Sequence, residues 1–204
     1  MTIFPDLESR WSPEYGTPGA AARQRWPQMR GLTLYPAEEE TGAWFLGPEG
    51  AGLFERAELA GLIASLSLMP HQLHIGAELA RRHQGMTFLQ HYHGFLGPRS
   101  GTGPQDGALI EPMVKLENIW VKLSGLGNCA GPEDEYPYNA LRWSGQLFYE
   151  ALGPNRLVWG SDFPVSSKHM TYRQTLEVLR RHGPGTVAEK ALMRGGNMAR
   201  LLKL

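Results

Sequence analysis

The chain has 204 residues, with 20 Lys and Arg against 20 Asp and Glu, so its formal net charge is zero and its pI is about 7.1. That balance argues against nucleic-acid binding and polybasic membrane attachment, which need basic surfaces, and 42% hydrophobic residues argue against wholesale disorder. No run of about 18 apolar residues predicts a transmembrane helix, the N-terminal MTIFPDLESRW lacks the basic-then-apolar order of a signal peptide, and the single cysteine, Cys129, fits a reducing cytoplasm.

Residues 1–28 carry Pro5, Pro13, Gly16, Pro18, Gly19 and Pro27 with little apolar periodicity. They predict an irregular arm with a short helix near Ala20–Trp26. A single domain is expected over 29–204, where short apolar runs alternate with helical stretches. The runs are Arg30–Tyr35, Leu62–Met69, Met86–His93, Ile119–Leu123 and Leu157–Gly160, each of strand length. The second is ambiguous: it either is a strand or ends the helix that starts near Ala51, which would leave Gln72–Ile75 (QLHI) as the strand. Further helices are expected over Gly76–Arg82, Gly107–Leu116, Tyr138–Leu152, Thr171–Arg181, Thr186–Met193 and Asn197–Lys203. Strand–helix alternation with runs apolar on both faces predicts an α/β fold with a parallel sheet. No Gly-rich phosphate loop follows a strand.

In parallel α/β folds ligands bind at the C-terminal ends of strands. Three runs place ionisable groups there: His91 and His93 on the third, Lys122 and Ser124 on the fourth, Asp162 after the fifth. Residues two apart on a strand share a face, so His91 and His93 are expected to point together. They either join one metal or acid/base site, or pack inside and bond the backbone. Asp162 is a base or a turn cap. Lys122 and Ser124 bind a substrate carboxylate, or are a solvated lysine and a turn serine. His74 reaches the site only if QLHI is a strand, and Arg30, opening the first run, is either a substrate contact or a surface charge. Cys129 has no histidine near it in sequence to make it a nucleophile.

The segment LGPNR-LVWGSDFPV resembles the closing signature of amidohydrolase-related (amidohydrolase 2) proteins. MRGLTLYP, MTFLQHYHG, LENIWVKLSGL and AEKALMRGGNMARLLKL resemble further segments of that family in the same order, over roughly residues 20–204. The resemblance implies a TIM-type (β/α)₈ barrel that hydrolyses lactones or amides or decarboxylates aromatic acids, some members with zinc and some lactonases without a metal. Asp162 matches the family's late-strand Asp, base for the attacking water or metal ligand. His93 matches its His–Gly histidine, ligand or electrophile at the carbonyl. His91 falls where the family more often has Asp.

Two departures shape the expectations. The family's first-strand His-x-His is absent, since no histidine precedes His71. Only five strands are visible where the barrel has eight, so the barrel is expected to be incomplete, with open edges and an uncovered inner face that invite self-association. The resulting expectation is a hydrolase of a lactone or similar carbonyl substrate. Asp162 and His93 are catalytic, and His91, Lys122, Ser124 and Arg30 contact a small, carboxylate-bearing molecule. No metal is expected; if a divalent ion such as zinc binds, its ligands come from His74, His91, His93 and Asp162. A catalytically inactive fragment with an interaction role, or a metal-dependent decarboxylase using His74, are the alternatives.

Overall fold

The computed structural model describes residues 28–36 and 41–204; the short helix expected near Ala20–Trp26 lies outside them. Five strands form one sheet: β1 (Gly31–Leu34), β2 (Ile63–Leu66), β3 (Phe88–Gln90), β4 (Ile119–Leu123) and β5 (Leu157–Trp159). They are all parallel and lie in the order β1-β2-β3-β4-β5. A strand order that never reverses sends every right-handed crossover to the same side. Helices therefore cover one face of the sheet, as in a (β/α) barrel, and the other face is its interior. The described residues supply five of the eight units of such a barrel.

The helices are α1 (Pro48–Leu59), α2 (Leu73–Arg82), α3 (Glu111–Val114), α4 (Leu126–Cys129), α5 (Arg142–Leu152), α6 (Tyr172–Glu177), α7 (Val187–Ala191) and α8 (Asn197–Leu202). A wider turn, Val178–His182, prolongs α6, and another, Leu192–Gly196, prolongs α7. Thr171 and Thr186 cap α6 and α7, each accepting a hydrogen bond from the backbone three residues on, which satisfies an N–H the helix leaves orphaned.

Alternation along each strand sorts the side chains. Leu32, Ala64, Leu66, Phe88, Val121, Leu123 and Leu157 point outward into the main core with Phe45, Phe54 and Phe148. The intervening positions point inward. Of these, Ile63, Leu89, Trp120 and Val158 make an apolar floor, and α8 lies across it with Met198, Leu201 and Leu202. Arg200 stacks over the Trp120 ring at 5.4 Å. Asn197 pins the helix: its buried amide donates to Pro154 O and Leu157 O, both at 2.7 Å. The inner face is therefore covered at its lower end, contrary to expectation, because the closing helix carries its own apolar stripe.

The ambiguity of the second run is resolved, and the expectations for His74 and Arg30 are corrected. The second run is the strand, and QLHI is not: Pro70 opens a turn (Pro70–Gln72) and α2 begins at Leu73. Gln72 caps that turn, its Oε1 accepting from Met69 N at 2.9 Å. His74 is consequently an exposed residue on the first turn of α2. Arg30 is exposed and precedes β1, where its carbonyl accepts from Ile63 N at 2.9 Å. That is the N-terminal edge of the sheet, opposite the end at which the other candidates gather.

Candidate active site

The upper part of the inner face is polar. Ser65, Lys122, His91 and Ser124 stand on its inward positions, on β2, on β4 and just beyond β3 and β4. His91 prolongs the strand ladder, its N–H donating to Leu66 O at 2.8 Å. Its ring is buried, with Nδ1 3.0 Å from Ser124 Oγ. Burial holds the imidazole well below its ordinary pKa, and the charge of Lys122 and the nearby His93 add to the effect. His91 is neutral at pH 7.

Lys122 donates from Nζ to Ser65 Oγ at 3.3 Å. Burial lowers its amine to about 8, against the opposing pull of Asp162. The amine is therefore still mostly an ammonium at neutral pH, in a low-dielectric setting where charge acts strongly. Gly160, after β5, makes room for it: a Cβ there would sit 2.8 Å from Lys122 Cδ and 3.1 Å from Ser124 Cβ.

Asp162 sits in the turn after β5 with a left-handed backbone, φ 54°, an uncommon conformation for a residue with a side chain. Its Oδ2 accepts from Asn128 Nδ2 on α4 at 2.9 Å, and Asn128 Oδ1 accepts in turn from His169 Nε2 at 3.2 Å. An amide offers a donor at one end and an acceptor at the other, so Asn128 ties the carboxylate to a fixed ring. Gly127 permits this approach, since a Cβ there would lie 2.4 Å from His169 Cβ and Cγ. Asn128, His169 and Ser65 were not foreseen. His169 lies 41 residues from Asn128, and only the Asn that follows Gly125-Leu126-Gly127 hinted at a tight turn there.

His93 departs from the expected pairing with His91. The chain turns left-handed at His93 (φ 51°), Gly94 (φ 66°) and Phe95 (φ 53°), which ends the strand alternation after His91. The His93 ring goes under α5 instead, with Nδ1 3.2 Å from Ser144 Oγ. The Ser144 hydroxyl spends its proton on Leu141 O at 2.9 Å, so it accepts from His93 Nδ1–H. Nε2 then carries a lone pair and no proton, and burial pulls the imidazole down to about 4. In that state Nε2 cannot donate a hydrogen bond to a carbonyl, as an electrophile must. Cys129 is no nucleophile either, because burial, assisted by Asp162, pushes its thiol up to about 12.

Sequence and fold comparisons agree with this architecture. The amidohydrolase family profile matches residues 10–204, and the chain belongs to that family. No curated protein matches significantly. An amidohydrolase from Burkholderia multivorans solved with bound zinc superposes with a TM-score of 0.76 at 21% identity, over 91% of this chain and 70% of that one. A Pseudomonas putida protein assigned as a 2-pyrone-4,6-dicarboxylic acid hydrolase gives 0.70 at 20%, over 97% and 70%. The 5-carboxyvanillate decarboxylase of Sphingomonas paucimobilis gives 0.55 at 17%, over 88% and 60%. These likenesses establish the TIM-barrel fold.

One of these neighbours was solved with bound zinc, so the donor set of this chain matters. Among the described residues no three His, Cys, Asp or Glu side chains are grouped to hold a metal ion, whereas catalytic zinc takes three protein ligands. His74 is on the surface, His93 is turned under α5, and a lysine occupies the middle of the polar face. These residues do not fit a resident zinc ion, and the chemistry below is built on the side chains present. Among the described residues no helix is long and apolar enough to cross a membrane.

Proposed function

We propose that the chain is a hydrolase of a cyclic ester or similar activated carbonyl compound that carries a carboxylate. The observation that carries this reading is Asp162, held by Asn128 close enough to Lys122 for its charge to act on the buried amine. A water molecule beside that carboxylate is the nucleophile. Asp162 takes the proton as that water attacks the carbonyl carbon. The Lys122 ammonium stabilises the oxyanion that forms or holds the substrate carboxylate, and Ser124 and neutral His91 border the same space. The ring C–O bond then breaks, and the proton on Asp162 passes to the leaving oxygen. The relative from Pseudomonas putida supports the substrate class, since its assigned substrate is by name a lactone with two carboxylates. The role expected of His93 passes to His91 and Lys122, the groups on the inner face.

A screen of carboxylated lactones with wild type and Asp162→Asn tests this. Turnover should fall roughly 10²–10⁴-fold in the variant, with the circular dichroism spectrum unchanged. Equal turnover in the folded variant would overturn the assignment of the base. No turnover by wild type on any lactone, amide or aromatic acid would favour the inactive-paralogue reading.

A further inference from the structure

Asn128 can serve Asp162 in only one of the two settings of its amide. One end of an amide donates and the other accepts, and an ionised carboxylate only accepts. The useful setting turns Nδ2 toward Asp162 Oδ2, as it stands at 2.9 Å. Turned over, the amide would set a carbonyl oxygen against the carboxylate. The group at its other end is His169, whose Nε2 lies 3.2 Å from Asn128 Oδ1.

We infer that His169 is a positioning residue for the base: its Nε2–H fixes which way round the Asn128 amide stands and, through it, the Asp162 carboxylate. This role presupposes Asp162 as the base that takes the proton from water. The ring is itself placed. Gly127 leaves it room beside the backbone of α4, where a Cβ would lie 2.4 Å from His169 Cβ and Cγ. The Tyr138 hydroxyl donates to His169 O at 3.1 Å. Asp162 and His169 also share one tight segment, in which Ser166 N donates to Asp162 O at 2.8 Å and His169 N to Ser166 O at 2.9 Å. The two ends of that segment therefore close on a single amide of the neighbouring loop. His169 is exposed, so burial does not account for a histidine here. The hold is also independent of the ring's charge, because Nε2–H is present both in imidazolium and in one neutral tautomer.

The test compares two substitutions of nearly equal shape at this exposed position. His169→Gln keeps an N–H donor for Asn128 Oδ1. His169→Glu offers only acceptors, so the amide turns its Nδ2 toward position 169 and its carbonyl toward Asp162. On the best lactone from the screen, kcat in His169→Glu should fall about tenfold below that in His169→Gln, with KM alike in the two. A carboxylate at position 169 also acts on Asp162 by charge, so the pair is repeated in Asn128→Ala, which has no amide to turn. There the difference should vanish. Equal kcat in the two variants with Asn128 intact overturns the inference, and so does a difference that persists without Asn128. The Asn128 side-chain NH₂ signals in NMR, assigned by their loss in Asn128→Ala, report the amide without any turnover. They should stay near their wild-type positions in His169→Gln and move in His169→Glu. Signals that move alike in both overturn the inference. Signals that move as expected while Asp162→Asn is as active as wild type would fault the assignment of the base and leave the hold of His169 on Asn128 established.

Discussion

Asp162 is positioned by residues that take no part in proton transfer themselves. Asn128→Ala removes the donor to Oδ2 and loosens the hold on the carboxylate. The expected result is a kcat lowered roughly tenfold with KM little changed, because orientation matters more in the transition state than in substrate binding. Steady-state kinetics on the best lactone from the screen would check it. Lys122 makes a separate prediction. Its amine is charged below about 8, so binding of a substrate carboxylate is fully present below that pH and is lost as pH rises through it. KM should climb above pH 8 in wild type and be high and flat in Lys122→Met. The stability effect has the opposite sense. The folded pKa lies below the ordinary 10.5, so the unfolded chain binds more protons between the two values and stability rises with pH there. Urea midpoints at pH 7.5 and 10 in wild type and Lys122→Met would show whether that rise belongs to this lysine.

At the level of elements, α8 is the simplest to test. Asn197→Ala leaves the carbonyls of Pro154 and Leu157 without their side-chain donor at a buried site. A loss of about 2–3 kcal/mol is expected, seen as a lower midpoint of chemical denaturation with an unchanged slope. The strands were legible because each is an apolar run between breakers, and all five fall inside the runs read from the sequence. So was the Asp162 turn, since a carboxylate directly after an apolar strand has few other reasons to be there. The pairing of His91 with His93 was not legible. Strand alternation holds only while the backbone stays extended, and the positive φ of three successive residues, two of them neither Gly nor Asn, leaves no mark in the sequence. The strand at Ile63–Leu66 and the helix after Pro70 were hard to separate because both contain apolar residues at compatible spacings. What decided between them is the capping contact of Gln72. The apolar stripe of α8 was readable in principle, as Met198, Leu201 and Leu202 stand at helical spacing, but its destination was not. A sequence shows that a helix has a face to bury, not which surface receives it.

For the whole molecule, the sheet of the described residues ends at β1 and β5, and zero net charge offers little repulsion between copies. Self-association is the expected outcome: sedimentation velocity should show a species heavier than the 22.7 kDa chain, dissociating on dilution. A monomer persisting at high concentration would count against it. The position of α8 also bears on how the chain is made. Ribosomes deliver the five strands in order, N-terminal first, and each crossover helix can dock as it emerges. The floor formed by Ile63, Leu89, Trp120 and Val158 has to wait until Met198, Leu201 and Leu202 have left the exit tunnel. Between the emergence of Val158 and that point the nascent protein carries an apolar trough that α8 has yet to cover. A stop codon placed before Asn197 would make that interval permanent, and such a product should be retained by chaperones or lost to inclusion bodies even though every strand of the sheet is present.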